Sequence, residues 1–277
     1  MPELPEVEIV RRDLEREVVG RRIKDVDVKL PRIVRRHKSR KEFVDGVVGA
    51  KVVRFDRRGK YLLMHLDNGN VVVMHLGMSG RIERATARKL VEKHTHVVLK
   101  LQTGGELRFI DMRQFGELFV SAHDELEGVK ELSHIAIDPL GDSFTWQVFS
   151  ELVTTRQVKL KTLLMDQKFI SGLGNIYSDE VLWAAGLRAD RLSDSLTSQE
   201  VRRLYRAMQE VLQDGIRHGG VTLGDQTYRN LHGKPGEFQD HLKVYGRAGQ
   251  PCRRCRTAIE RTRWGQRSHY ACPQCQV

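Results

Sequence analysis

Two stretches at opposite ends of the 277-residue chain hold reactive residue types at short spacing. The first is Met1-Pro2-Glu3-Leu4-Pro5-Glu6. Pro2 has a small ring, which favours removal of Met1 and would leave a secondary amine at the terminus. An α-amino group titrates at roughly 7.7–8.0, far below lysine, so an appreciable fraction is nucleophilic at neutral pH. A secondary amine that condenses with a sugar aldehyde carbon keeps no N–H after dehydration, so the product is a cationic iminium. That cation acidifies the neighbouring carbon and promotes β-elimination. Glu3 and Glu6, within a turn of the amine, suit general acid or base work. A helix start uses the same residue types, because prolines fit the first turn and acids there complement the helix dipole.

The second stretch is Cys252-x-x-Cys255, sixteen residues, then Cys272-x-x-Cys275, which contains every cysteine of the chain. Two such pairs predict one closed, tetrahedral, structural site at the ends of a β-hairpin, with zinc the expected ion. Between the pairs lie Arg261, Arg263 and Arg267. A metal-pinned hairpin bearing arginines suits phosphate contact, and Arg267, beside the expected turn, is the best placed.

The intervening chain must position these groups. Leu4, Val7, Val10, Leu14 and Val18 recur at steps of three and four, which predicts an amphipathic helix to about Val19. Residues 22 to about 121 read mostly as strands, with β-rich runs at 47–48, 52–53, 61–66, 71–76, 97–101 and 107–110 separated by glycine turns. They predict an antiparallel sandwich or barrel. The basic run from Arg32 to Lys41 reads as a solvated connection. Asp138-Pro139-Leu140-Gly141-Asp142 marks a linker, followed by helical patterns at about 145–152, 157–165, 176–185 and 198–217.

Three glycine-flanked turns in the strand region present Lys60, Met78 and the Arg113–Phe115 pair. Methionine and phenylalanine usually pack in cores, but two apolar tips and an arginine on tight turns suit wedging a base stack and filling the space of an extruded nucleotide. Gly172-Leu173-Gly174-Asn175 precedes a helix, where backbone N–H groups and the dipole favour a phosphate, and Lys161 would add a second cation. The 47 Lys plus Arg against 36 Asp plus Glu give a net charge of +11 and suit a polyanionic partner. There is no run of transmembrane length and no signal-peptide pattern, and the paired thiols read as metal ligands rather than a disulfide framework, so a cytosolic protein is expected.

In order along the chain, Pro2-Glu-Leu-Pro-Glu6, Lys60, Met78, Arg113/Phe115, Gly174-Asn175-Ile176-Tyr177, Val244-Tyr245-Gly246-Arg247 and the cysteine finger resemble the bacterial formamidopyrimidine-DNA glycosylase (Fpg) family. The resemblance implies an α+β protein, with a helix and an antiparallel β-sandwich at 1–130, a linker at 131–144, a helical helix–two-turns–helix domain at 145–241 and a zinc finger at 242–277. It implies a bifunctional base-excision enzyme and AP lyase, monomeric, holding damaged double-stranded DNA in a cationic cleft between domains. Pro2 would be the nucleophile on C1′, Glu3 the proton donor, Lys60 a support for β,δ-elimination, and Glu6 a holder of the centre. Met78, Arg113 and Phe115 would fill the void, with Arg113 facing the opposite base. Asn175 and Arg267 would grip phosphates, and Lys161, His75, His94 and Tyr245 would be further DNA contacts. The loop from about Gly219 to Phe238 would cover an extruded 8-oxoguanine or formamidopyrimidine.

The runner-up among enzymes is an endonuclease VIII-like glycosylase for oxidised pyrimidines, a branch whose terminus typically reads Pro-Glu-Gly-Pro-Glu; Leu4, Met78 and Phe115 favour the Fpg branch. The reading from another class is a non-catalytic zinc-finger DNA-binding protein, which has no use for Pro2, Glu3 and Lys60 together. Arg256, Gln266 and His269 depart from the family pattern and leave the hairpin-tip geometry open.

Overall fold

The computed structural model describes residues 1–277, which divide into two compact units, Met1–Ser133 with His218–Gln239, and His134–Arg217 with Asp240–Val277. No helix is long and apolar enough to cross a membrane.

In the first unit, α1 (Leu4–Val18) presents Leu4, Val7, Val10, Leu14 and Val18 to the core, as the spacing predicts. Two four-stranded antiparallel sheets follow. One has the order β1 (Ile23–Val28), β6 (Thr95–Leu101), β7 (Glu106–Asp111), β5 (Gly80–Ala85); the other runs β2 (Val52–Arg58), β3 (Tyr61–Leu66), β4 (Asn70–His75), β8 (Glu117–Ala122). Val26, Val97, Leu107 and Phe109 of the first sheet share one buried cluster with Phe55, Leu62, Met64, Val72 and Leu118 of the second, which makes the pair a sandwich.

The strand reading needs two corrections. Val47 and Val48 are not a strand; their N–H groups bond to Val44 O in the turn that ends α2 (Arg40–Asp45), with Val47 fully buried. The basic run after Leu30 does expose Arg32, Arg35, Lys38, Arg40 and Lys41 to solvent, but it is not an irregular loop. A 3₁₀ turn at Pro31–Val34 and α2 bury Ile33 and Phe43, while Arg36 forks onto both Glu117 oxygens at 2.9 Å and lies 3.9 Å over the Phe119 ring. A guanidinium consumed by a bidentate pair and an aromatic face has little left for an external partner.

The segment His218–Gln239, assigned from sequence to the helical domain, belongs with the sandwich. Tyr228 and Leu231 complete the sandwich core, and Leu231 O accepts from Arg84 N at 2.8 Å. Val221, Leu223, Tyr228, Leu231 and Phe238 are scattered through a polar, glycine-rich stretch at no helical or strand period, so the docking leaves no pattern to read.

After α3 (Lys130–Ser133), the second unit holds α4 (Trp146–Thr154), α5 (Leu160–Met165), α6 (Asn175–Ala185), α7 (Ser198–Arg217) and the hairpin β9 (Glu260–Trp264) and β10 (Arg267–Ala271). Helix α5 begins later than the pattern suggests, because Lys159 is used in a bridge to Leu192. Gly186 ends α6 at φ +69°, with its N–H returned to Leu182 O and Trp183 O. The stretch read as a linker is not free from His134 onward, since Ile137 pairs with Ile170 and Phe144 is buried.

Candidate active site and nucleic-acid interface

The amino-terminal residues are already set in place by the fold. Pro2 is buried, and Glu3 and Glu6 are each only 2 % exposed. Glu6 Oε2 accepts from Glu3 N at 2.8 Å, closing the start of α1 backwards, and Glu6 Oε1 accepts from Val221 N at 2.8 Å. One carboxylate therefore joins the terminus to the 218–239 segment. Gly220, at φ +80°, permits this approach, since a Cβ there would lie 2.9 Å from Glu6 Oε1 and 3.0 Å from the Tyr228 ring.

Lys60 sits behind Gly59 (φ +55°) in the β2–β3 turn and is largely buried. The turn is tied to α1 by Glu8, whose Oε2 accepts from Arg57 Nε at 2.9 Å, while Arg57 also donates to Gly59 O. Burial by itself would raise the Glu8 pKa; hydrogen bonds from Arg11, Arg57 and Arg12 overcome that and bring it down to about 2. A depressed carboxylate stabilises the fold above its ordinary pKa and loses that contribution as pH falls through the folded value. Glu8→Gln should therefore destabilise the protein near neutral pH and flatten the acid limb of its unfolding curve between about pH 4.5 and 2, measured by circular dichroism. An unchanged acid limb would remove Glu8 as the clamp of the Lys60 turn.

His75 pairs across the sheet with Tyr61, ring centroids 4.6 Å apart. Burial, and then the Lys60 ammonium, push its pKa down to about 4, so it stands beside Lys60 as a neutral imidazole.

Met78 and the Arg113–Phe115 tip come together on adjoining loops. Gly77 (φ +62°) lies so close to the next loop that a Cβ would fall 2.7 Å from Gly116 N. Buried Asp111 organises both loops. Its Oδ1 accepts from Ser79 Oγ at 2.5 Å and Arg113 N at 3.2 Å, and its Oδ2 from Gly116 N at 2.7 Å. His94, at φ +68°, accepts from Asp111 N through its carbonyl, and Arg35 donates to Gly116 O at 3.0 Å. What this scaffold holds out is apolar: Met78 is 39 % exposed, Met112 58 % and Phe115 48 %, with the Arg113 guanidinium 5.3 Å from the Phe115 centroid. The tips were legible as glycine turns. Asp111, Ser79, Glu8 and Arg35 were not, since nothing in their local sequence separates a loop organiser from a surface polar residue.

In the second unit, Asn175 opens α6 and donates from Nδ2 to Ser268 O at 2.8 Å, which brings it beside exposed Arg267. Lys161 does not fill the role expected of it. It is 0 % exposed, with Nζ 2.6 Å from Asp179 Oδ1 and 2.9 Å from Ser178 Oγ, so it is a buried structural cation without surface for a phosphate. Tyr245 lies in a turn whose three N–H groups, Lys243, Val244 and Tyr245, all bond to the buried Glu180 carboxylate at 2.8–2.9 Å.

The four cysteine sulfurs lie within 4.8 Å of one another, with Cys255–Cys272 at 3.4 Å and Cys252–Cys275 at 3.9 Å. A tetrahedron of Zn–S bonds has edges of about 3.8 Å, so the set fits one structural zinc. Cys252 Sγ also accepts from Trp183 Nε1 and Arg254 N, both at 3.4 Å, which favours the thiolate. Two of the departures from the family pattern are resolved by backbone angles. Arg256 occupies a left-handed position at φ +69°, where glycine costs least; Gly265 (φ +60°) alone carries the positive angle of the tip, so Gln266 is tolerated as in a II′ turn.

A sandwich with a buried acidic terminus and, in the same chain, a helical unit bearing a four-thiolate hairpin are the parts of a DNA-lesion glycosylase. Residues 1–118 match the formamidopyrimidine-DNA glycosylase N-terminal domain, 135–227 the H2TH domain of the same enzymes, and 249–277 the zinc finger found in FPG and IleRS. The formamidopyrimidine-DNA glycosylase of Salinispora arenicola is 45 % identical over 278 residues, covering 100 % of this chain and 96 % of its own. The crystal structure of MutM (Fpg) from Thermus thermophilus superposes with a TM-score of 0.89 at 39 % identity, covering 99 % of this chain and 98 % of that one. A complex of wild-type Lactococcus lactis Fpg with DNA containing N7-benzyl-Fapy-dG gives 0.90 at 33 % identity, covering 99 % of each chain. The chain belongs to the formamidopyrimidine-DNA glycosylase family.

Proposed function

We propose that this protein excises oxidised purines, 8-oxoguanine and formamidopyrimidines, from duplex DNA and cleaves the strand at the resulting site. The observation that carries the reading is the buried Pro2–Glu3–Glu6 end of α1, with Lys60 on a turn braced to the same helix. After removal of Met1, the unprotonated Pro2 nitrogen attacks C1′ and gives up its N–H proton, which passes to the base as that base leaves with its bonding pair. Glu3 protonates the ring oxygen as the sugar opens, and the nitrogen lone pair forms the iminium. Loss of a C2′ proton expels the 3′ phosphate, and a second elimination expels the 5′ phosphate, with Lys60 beside the departing anions. Buried carboxylates at a secondary amine serve this chemistry; a protein that only binds DNA has no use for them.

Met78 and Phe115 occupy the space vacated by the lesion, and Arg113 reads the base left behind. Asn175 and Arg267 hold phosphates, and Tyr245 and His94 flank the bound strand. The zinc keeps the Arg267 hairpin in shape. The protein works as a monomer on the nucleoid DNA of a bacterial cytoplasm, where paired thiols hold metal rather than oxidise.

The test is borohydride trapping on an 8-oxoguanine:cytosine duplex, with thymine glycol and undamaged duplexes alongside. A covalent adduct at Pro2 with the oxidised purine is the expected result. No adduct from protein shown by mass spectrometry to lack Met1 would overturn it, and an adduct with thymine glycol alone would move the chain to the endonuclease VIII specificity. Arg113→Ala should flatten discrimination between opposite bases by about 1–3 kcal/mol while leaving affinity for an abasic site nearly intact, measured by competition binding. Equal losses against every opposite base would show that Arg113 does not read it.

A further inference from the structure

His269 is one of the hairpin residues that depart from the family pattern, and the structure gives it a definite partner. Its Nδ1 lies 2.5 Å from Asp179 Oδ1, the same oxygen that accepts from Lys161 Nζ at 2.6 Å, and Asp179 Oδ2 accepts from Tyr270 N at 3.0 Å. All three side chains are buried, with Lys161 and Asp179 at 0 % exposure and His269 at 6 %. Lys161 Nζ donates to the same oxygen, and the imidazole Nδ1 stands as a second donor to it. A buried ion pair is by itself a weak source of stability, because desolvation offsets the Coulomb gain. Setting the register between two elements is a role that such a group does fill.

The spacing says which register. On β10, Arg267 and His269 are two residues apart and share a face; on α6, Asn175 and Asp179 are four apart and share a face. Two residues of strand advance about 6.6 Å and four residues of helix about 6.0 Å. The His269–Asp179 contact and the Arg267–Asn175 juxtaposition are therefore neighbouring rungs between one strand and one helix, with the Asn175 Nδ2 bond to Ser268 O between them. Lys161 Nζ also donates to Asn175 O at 3.1 Å, tying the same cluster to the first turn of α6. A slip of one residue along β10 would turn Arg267 to the opposite face.

We infer that His269, acting through Asp179, is a positioning residue that sets the Asn175–Arg267 phosphate grip. The inference rests on the reading that those two residues hold phosphates. The test measures affinity for an abasic-site duplex and steady-state kinetics on an 8-oxoguanine duplex, for zinc-loaded protein. His269→Ala should raise Kd and KM about tenfold and leave kcat within about twofold of wild type. His269→Asn, whose amide can donate to Asp179, should recover most of that loss, whereas His269→Thr should not. In an Arg267→Ala background, His269→Ala should add less than about twofold, since the group it positions is gone. Wild-type binding by His269→Ala, or losses that add fully in the double variant, would overturn the inference. Wild-type binding by Arg267→Ala would instead overturn the grip itself. If His269→Ala sheds its zinc, the Asn and Thr variants make the same comparison.

Discussion

Pro2→Gly should lower the rate of strand cleavage about 10²-fold or more while leaving affinity for abasic-site DNA within a few-fold of wild type. Glycine at position 2 still permits removal of Met1 and still leaves an amine. Two things change. The amine becomes primary, so the condensation product can lose a proton to a neutral imine and is no longer obliged to remain a cation. The residue also loses the buried pyrrolidine ring, whose packing seats the nitrogen and whose closure fixes the direction of its lone pair, so the nitrogen is no longer held in one geometry ahead of buried Glu3. A displacement of about an ångström at a reacting atom is worth the stated factor. Single-turnover kinetics on a pre-formed abasic site would separate chemistry from binding, and an unchanged rate would show that another nitrogen is the nucleophile.

The second large effect is expected from Cys252→Ala, which removes one of four sulfurs and also the acceptor of the Trp183 and Arg254 N–H groups. Structural zinc contributes on the order of 10 kcal/mol to a small metal domain, and the hairpin has little else to fold around. Its buried residues are chiefly Cys252, Ile259, Cys272 and the flanks of Trp183 and Val244. The variant should lose its metal and lose DNA affinity by about 10²-fold or more, with a shallower dependence of binding on salt because arginine–phosphate contacts are lost. Metal content and a salt series of binding curves would measure this. Tight, salt-steep binding by metal-free protein would detach the finger from DNA recognition.

The parts of the molecule that could be read from sequence were those written in a periodic or paired code. Helix α1 shows its buried face at every third or fourth residue, and the cysteines show their site in their spacing. Strand β1 was hidden because Ile23-Lys-Asp-Val-Asp-Val28 has its alternation broken by a bulge between Ile23 and Asp25, and β5 because Arg81 and Glu83 spend their charges on Glu92 and Lys89. Lys161 misled for a related reason: a lysine beside a glycine-rich helix start reads as a phosphate ligand, and only Asp179, eighteen residues later, makes it a buried structural cation. In the same way His269 read as a departure from pattern until its partner on α6 was in view. Long-range pairing leaves no local trace. The candidate catalytic terminus stands out in the sequence because the chemistry proposed for it depends on position in the chain rather than on a distant partner.

Glu6 spends one oxygen on Glu3 N and the other on Val221 N. If the 218–239 segment lifts away, Oε1 loses that donor at a site 2 % exposed, at a cost of about 1–3 kcal/mol. The segment and the terminus thus share one carboxylate as a common axle, and neither turns without the other. Hydrogen exchange at the Val221 amide would then serve as a gauge of how firmly the proposed nucleophile, the Pro2 nitrogen, is seated, read some 220 residues away from it along the chain.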